Sequence, residues 1–432
     1  VLLVGPDLKE ELPILHLRLQ GAANKGQTKV VQIGPTVTGS EPYIQRSIRC
    51  QSGEAAKALT ELLGSDDPLA QQLRDGSVVT ILGRNSIAES ADPAISVAAV
   101  IRAELPHATF LPVLPRGNVR GAIDMGLAPG FLPGRIRINN PSQTLLQKWS
   151  EIPKEQGLGT TEMLQAAVAG KIETLILLGA DPLSDFPDRN LAAEAIQQTK
   201  TVIAIDNFVT ASVAQADIVL PATTYGEQDG TTTNIEGRIS RVTQKITPPG
   251  STRDDWMIAT ELAWRLGGDL ELTSKEEIWR EIEQVAPSHA GVTLERVTSD
   301  ETREGLLVQD SSADLTLPTP QDTPVADGYG LRLISGRKLW DAATATAHSP
   351  SLQHLAEPPT LKVHPNDLQR LGIPSGTEVR VISTRATENL TAVADSNTQR
   401  GTAVLPFNQP GGGANRFIDA TAVVNDIRIE TL

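Results

Sequence analysis

Two short turns carry residue types that could hold a nucleotide. Val1-Leu-Leu-Val-Gly5-Pro-Asp7 and Leu175-Ile-Leu-Leu-Gly179-Ala-Asp181 share one plan: four apolar residues, a glycine, a turn residue and an aspartate. A strand that ends in a tight glycine turn before a helix is where an α/β sheet meets its ligand. A third carboxylate, Asp206, ends the apolar run Val202-Ile-Ala-Ile205. An acid at a strand end can take the two hydroxyls of a ribose. It can equally cap the next turn; Asp206-Asn207 is good capping chemistry, and the local sequence favours that reading. Residues 223–239, TTYGEQDGTTTNIEGRI, are rich in Gly, Thr and Asn and show no periodic element. Glu227, Asn234 and Arg238 sit in this loop, where they would cover a ligand or stabilise the loop itself. The candidate positions of a nucleotide-type cleft are therefore Gly5, Asp7, Gly179, Asp181, Asp206, Asn234 and Arg238.

Other chemistry is missing from the pattern. The six histidines are scattered, and none has metal-ligand spacing. His348 and His354 fall in a polar loop and read as surface residues. There is no Walker A motif, no G-x-G-x-x-G and no G-x-S-x-G. Asp66-Asp67 and Glu276-Glu277 read as helix-start or solvated charges. The one cysteine, Cys50, can neither form an internal disulfide nor hold an iron–sulfur cluster, which needs several thiolates. It reads as a small packed side chain in a reduced compartment. No catalytic residue and no metal site are expected.

The elements that must position the turns are short apolar strands alternating with helices. Strands are expected at 1–4, 29–34, 77–82, 174–178, 202–205 and 217–220. Helices are expected at 53–63, 91–105, 190–199, 254–266 and 275–285. Trp256, Ala259, Leu262, Ala263 and Leu266 would form the apolar stripe of the fourth helix. From about Leu331 the pattern changes to short strands, including Val379–Ile382, Leu390–Val393, Ala403–Leu405 and Ala422–Val424, with one helix stopped by Gly372. The fold class is α/β: two doubly wound units facing a crevice, then a C-terminal β-barrel. The expected domains are 1–110, 111–298 with an irregular lead-in, an acidic linker at 299–328, and 329–432. The net charge of −14 argues against a nucleic-acid partner. No apolar run approaches the roughly 20 residues that span a bilayer. Val1 starts a strand without a lead-in, so the chain is expected to be a piece of a longer protein with that strand in mid-sheet.

An ordered set of segments resembles the molybdopterin oxidoreductase superfamily. The set is Leu177-Leu-Gly-Ala-Asp-Pro182, Asp206-Asn-Phe-Val-Thr-Ala211, Ala216-Asp-Ile-Val-Leu-Pro-Ala222, and Gly230 through Asn234-Ile-Glu-Gly-Arg238. Residues 359–379 resemble its dinucleotide-binding domain, a double-psi β-barrel. Within the superfamily, Glu11-Leu-Pro-Ile-Leu-His-Leu-Arg18, Arg116-Gly-Asn-Val-Arg120 through Pro129 and Leu132-Pro-Gly-Arg135 resemble the large iron–sulfur subunits of bacterial NADH–quinone oxidoreductase, respiratory complex I. That resemblance implies 2Fe–2S and 4Fe–4S clusters in a preceding region, and none in this chain. It implies other respiratory subunits as partners. The place implied is cytoplasmic, on the inner face of the bacterial plasma membrane and attached only through those partners. Members that bind the pterin dinucleotide carry Thr-Glu-Thr-Ala after the equivalent of Phe208. Here the residues are Thr210-Ala-Ser-Val213, without the acid, so bound molybdopterin is not expected. The alternative is a fragment of a true molybdopterin enzyme, such as a formate-dehydrogenase-like one.

Overall fold

Aliphatic runs that stop at glycine build the first sheet. In the computed structural model, residues 1–149, 151–299, 302, 304–308, 316–326 and 328–432 are described, and the elements below are those among them. Strands β1 (Leu2–Val4), β2 (Val31–Gly34), β3 (Arg46–Arg49), β4 (Val79–Leu82) and β5 (Thr109–Pro112) are all parallel, in the order β3-β2-β1-β4-β5. As the sequence implies, β1 lies mid-sheet: Leu2 pairs with Val31 on one side and Thr80 on the other. Its side chains are buried on both faces, as a doubly wound sheet requires. Leu2 and Val4 pack with Leu59 and Leu63 of the helix Ala55–Leu63 and Val97 and Ile101 of the helix Asp92–Glu104. Leu3 packs with Leu8 and Leu19 on the other face. The expected helices appear, with Pro93 in the first turn of Asp92–Glu104 and Gly64 capping Ala55–Leu63. Strand β3 is polar and partly exposed and β5 is short and mostly exposed, and neither has a clear signature in the sequence.

Further along, β6 (Phe131–Leu132) and β7 (Ile136–Arg137) form a short antiparallel pair. A parallel sheet follows, β8 (Thr174–Leu178), β9 (Thr201–Asp206) and β10 (Ile218–Pro221), in the order β10-β9-β8. Three expectations need correction here. The stretch 223–239 is not wholly irregular: β11 (Gly230–Thr233) pairs antiparallel with β12 (Arg238–Val242). β-branched Thr231–Thr233 favour the strand, and Gly237, at φ 84°, makes the turn that closes it. In the expected linker 299–328, β13 (Leu306–Leu307) joins β12; residues 300, 301, 303, 309–315 and 327 lie outside the described residues. The helix Asp255–Arg265 buries Ile258 rather than the expected stripe, and Leu266 is 86% exposed. Ile258 packs with Ile205 and Ala222, with Leu262 and Leu220 against them, so the inward face is set one position away.

The remaining strands close a barrel in the order β14-β18-β15-β17-β16-β19. They are β14 (Leu331–Ile334), β15 (Leu361–Val363), β16 (Thr377–Ile382), β17 (Thr387–Ala394), β18 (Thr402–Val404) and β19 (Asp426–Thr431). The pairs β14–β18 and β15–β17 are parallel and the rest antiparallel. Leu333, Val363, Val379, Val381, Phe407 and Phe417 fill the interior. The α/β class with parallel-sheet units and a C-terminal barrel is as expected. The last strand is not: Ala422–Val424 is irregular, with Val424 in an isolated bridge to Glu89. Ile427 and Ile429 alternate inward instead, which is the period-2 pattern of a half-buried strand.

By compactness the chain forms two units, 1–113 with 182–192 and 316–432, and 114–181 with 193–315. Among the described residues no helix is long and apolar enough to cross a membrane. The core of the first unit makes a direct forecast. Leu2→Ala empties a fully enclosed site and should cost about 2–5 kcal/mol. Val79→Ala, at a position 38% exposed on neighbouring β4, should cost far less, about 0.5–1 kcal/mol. Urea unfolding of both variants checks this; equal losses would contradict a central, enclosed β1.

Candidate functional site

In the order 3-2-1-4-5, the chain leaves β1 and β4 toward opposite faces, and the gap beyond their carboxyl ends is where such sheets bind ligands. Gly5 and Gly83 stand at those ends. A Cβ on Gly5 would lie 3.4 Å from the Gly83 nitrogen, and one on Gly83 would lie 2.8 Å from Val113 Cβ. Gly83 thus leaves no room for a Cβ beside the Val113 side chain, whereas at Gly5 the contact would be an ordinary one. Asp7 follows as the cap of helix α1 (Leu8–Glu11): Oδ1 accepts from the Lys9 N–H at 3.0 Å, and Oδ2 from the Gly39 N–H at 2.9 Å. The barrel segment after β14 closes the opposite wall. The cleft between them has a volume of about 150 Å³ and is lined by Pro6, Asp7 and Asn85 on one side and by Gly336–Lys338 on the other.

The charges in this cleft are matched to one another. Arg337 donates from Nη1 to Asp341 Oδ2 at 2.7 Å and from Nη2 to Asp185 Oδ1 at 2.8 Å. Its guanidinium carbon lies 4.9 Å from the centroid of the Phe407 ring, a cation–π contact. Lys338 Nζ pairs with Glu10 Oε1 at 3.2 Å, and the Leu339 N–H donates to Glu10 Oε2 at 2.9 Å. The Arg337 N–H donates to Glu11 Oε1 at 3.4 Å. Lys362 lies 3.6 Å from Asp395. Burial pushes the Glu11 carboxyl above the usual range; Arg337 and Arg84 oppose this, and Asp7 adds to it.

A pyrophosphate needs uncommitted cations or N–H donors. The cations lining the cleft already face acids, Pro6 has no N–H, and Glu10 and Glu11 would repel phosphate. Two buried polar atoms in the lining, Asn85 Oδ1 and Ser335 Oγ, lack protein partners, but they add one acceptor and one hydroxyl and no charge. The side chains of this cleft do not fit a dinucleotide's diphosphate as they stand.

The other candidates lie in the second unit, each in a local bond. Gly179, at φ 54°, donates its N–H to Ile205 O at 2.8 Å. Asp181 is buried and accepts from Ser212 through both its N–H, at 3.1 Å, and its hydroxyl. Asp206 Oδ1 accepts from the N–H groups of Asn207 and Phe208, which is the capping alternative. Asn234 Oδ1 accepts from the N–H groups of Glu236 and Arg238, closing the β11–β12 turn. Arg238 pairs with Glu236 at 3.2 Å, and Glu227 accepts from the Thr224 N–H. Arg120 and Arg135 each lie 3.0 Å from the enclosed Asp124 carboxylate. Cys50 is buried and its thiol is pushed up to about 12, chiefly by burial, which keeps it unreactive. His348 and His354 are exposed, as read from the sequence. Among the described residues no cluster of three or more His, Cys, Asp or Glu could hold a metal ion. The sequence reading missed Arg337 and Lys338. Their signal is a strand, Leu331–Ile334, followed by Ser-Gly and two cations, a turn of the same plan as Gly5–Asp7 with the charge reversed.

Comparison with known proteins agrees with this architecture. The family described as Molybdopterin oxidoreductase matches residues 1–265, and the Molydopterin dinucleotide binding domain matches residues 331–426. The F420-dependent formate dehydrogenase 2 subunit alpha of Methanococcus maripaludis is 29% identical over 69% of this chain and 47% of its own length. An NADH-quinone oxidoreductase subunit of Rhizobium meliloti is 27% identical over 94% of this chain and 52% of its own. The chain thus spans about half the length of these relatives. Among solved structures, acetylene hydratase from Pelobacter acetylenicus superposes with a TM-score of 0.63 at 16% identity, over 100% of this chain and 77% of that one, a likeness of fold.

The raised Glu11 carboxyl generates a pH forecast. The folded state holds this proton more tightly than the unfolded chain, so its contribution to stability is fully present below the unfolded value, about 4.3, and is lost as pH rises through the folded value. Glu11→Gln removes that loss. Stability of the variant relative to the parent should therefore increase as pH is raised from 4 to 7, read by urea unfolding at both values. A pH-independent difference would contradict a Glu11 carboxyl raised by its desolvation.

Proposed function

The chain belongs to the molybdopterin oxidoreductase family, and from that premise we propose that it is a structural part of the electron-input arm of a proton-translocating NADH–quinone oxidoreductase. In this reading, electrons pass from NADH towards quinone through 2Fe–2S and 4Fe–4S clusters carried by a preceding region of a longer protein. This chain supplies no catalytic residue. It keeps a cofactor-binding fold as a rigid body on which partner subunits of the complex are placed, at the cytoplasmic side of the bacterial plasma membrane. The candidate positions Gly5, Asp7, Gly179, Asp181, Asp206, Asn234 and Arg238 are then remnants of a cleft, and each serves local structure.

The observation that carries the reading is the internal pairing of Arg337, Lys338 and Lys362. A cleft serving a bound diphosphate would leave cations facing the ligand. The missing acid at Thr210–Val213 supports the same reading, as does the alignment of the NADH-quinone oxidoreductase relative across 94% of the chain. A second reading, part of a true molybdopterin-dinucleotide enzyme, is favoured by the match over 331–426 and by the formate dehydrogenase relative.

Metal and pterin analysis of the full-length protein from its native cells separates the two. The scaffold reading expects iron, no molybdenum or tungsten, no extractable pterin, and co-purification with NADH- and quinone-reacting subunits. Near-stoichiometric molybdenum or guanine dinucleotide would overturn it in favour of the second.

A further inference from the structure

The residues that neutralise the cleft form a defined geometry. Three donors, the Arg337 N–H, the Lys338 ammonium and the Leu339 N–H, converge on the carboxylates of two successive residues, Glu10 and Glu11. Two backbone N–H groups beside an ammonium make an anion cradle of the kind that binds phosphate oxygens. The cradle sits at the rim of the cleft beyond β1, and Lys362 lines the same space. The Arg337 guanidinium is not one of the donors: Asp341, Asp185 and the Phe407 ring occupy it and hold the segment in place. The two backbone donors are thus held in place by groups that do not touch the acids, which is what lets that part of the cradle outlast the loss of its occupant.

We propose that Glu10 and Glu11 are an intramolecular stand-in for an anionic ligand, and that neutralising them turns this cradle into a site for a diphosphate group. This rests on the reading that the unaltered cleft binds no dinucleotide, and it adds what keeps the cleft closed. The acids act twice: they occupy the donors, and they repel an incoming phosphate. In the isosteric amides the repulsion vanishes and the hold on the Lys338 ammonium weakens. A glutamine can still accept from the two N–H groups, so the fold is retained, but it holds Lys338 far less strongly than a carboxylate does.

The test is calorimetric titration of the full-length protein with inorganic pyrophosphate at low ionic strength, for the parent, Glu10→Gln, Glu10→Gln/Glu11→Gln, and the double variant with Lys338→Gln added. Thermal melts confirm that each is folded. The double variant should bind at least tenfold more tightly than the parent, Glu10→Gln alone should lie between them, and adding Lys338→Gln should reverse the gain. If the folded variants bind no better than an undetectable parent, the stand-in is wrong while the scaffold reading survives. Tight binding by the parent itself would overturn both.

Discussion

A guanidinium largely shielded from water is stabilised by pairing, and in this protein Arg337, 17% exposed, is held in that way. Leaving such a charge unpaired costs stability, although partial exposure screens the loss. Arg337 pairs with Asp341 from its own segment and Asp185 from a stretch 152 residues away in sequence, and its backbone N–H reaches Glu11 beyond the first strand. One residue therefore ties three separate pieces of chain into one unit. The same device recurs nearby: Arg385 lies 2.7 Å from Asp188 and 3.1 Å from Asp419. Asp185 and Asp188 together explain why residues 182–192 belong with the first sheet and the barrel, although they follow a strand of the other unit.

These bonds set the character of the cleft. A site evolved around a ligand's charge leaves its own charges unbalanced until the ligand arrives. Here the balance is reached within the polypeptide, and the cations are spent on structure. The sheet has its switch point and glycine turn and the barrel is closed, while the cations lining the cleft are paired with the chain's own acids. It is on this pairing that the proposed scaffold reading rests.

Much of the architecture was legible in the sequence, because buried parallel strands are apolar runs and their turns need glycine. Leu2–Val4, Val31–Gly34 and Val79–Leu82 are of this kind. Strands whose side chains meet water are harder to see: Arg46–Arg49 at a sheet edge and Gly230–Thr233 in a hairpin lack the apolar signature, and Thr109–Pro112 at the other edge is short and mostly exposed. The helix Asp255–Arg265 shows the limit of periodicity, since several faces carry apolar residues and only packing on Ile205 and Ala222 selects Ile258. Of the site, the Gly5–Asp7 turn and the acids after it were visible. Their partners were not, because a pair such as Lys338 with Glu10 joins residues 328 positions apart, and no local pattern reports it.

The cleft's cations are committed internally, and a double-mutant cycle measures that commitment directly. Arg337→Met, Asp341→Asn and the two together would be compared with the parent by equilibrium unfolding. The pair is mostly shielded from solvent, and its 2.7 Å contact predicts a favourable coupling of about 1 kcal/mol or more. A coupling indistinguishable from zero here and in the matching cycle with Asp185→Asn would mean that Arg337 is not held by the protein's own acids, and the self-neutralised cleft would be wrong.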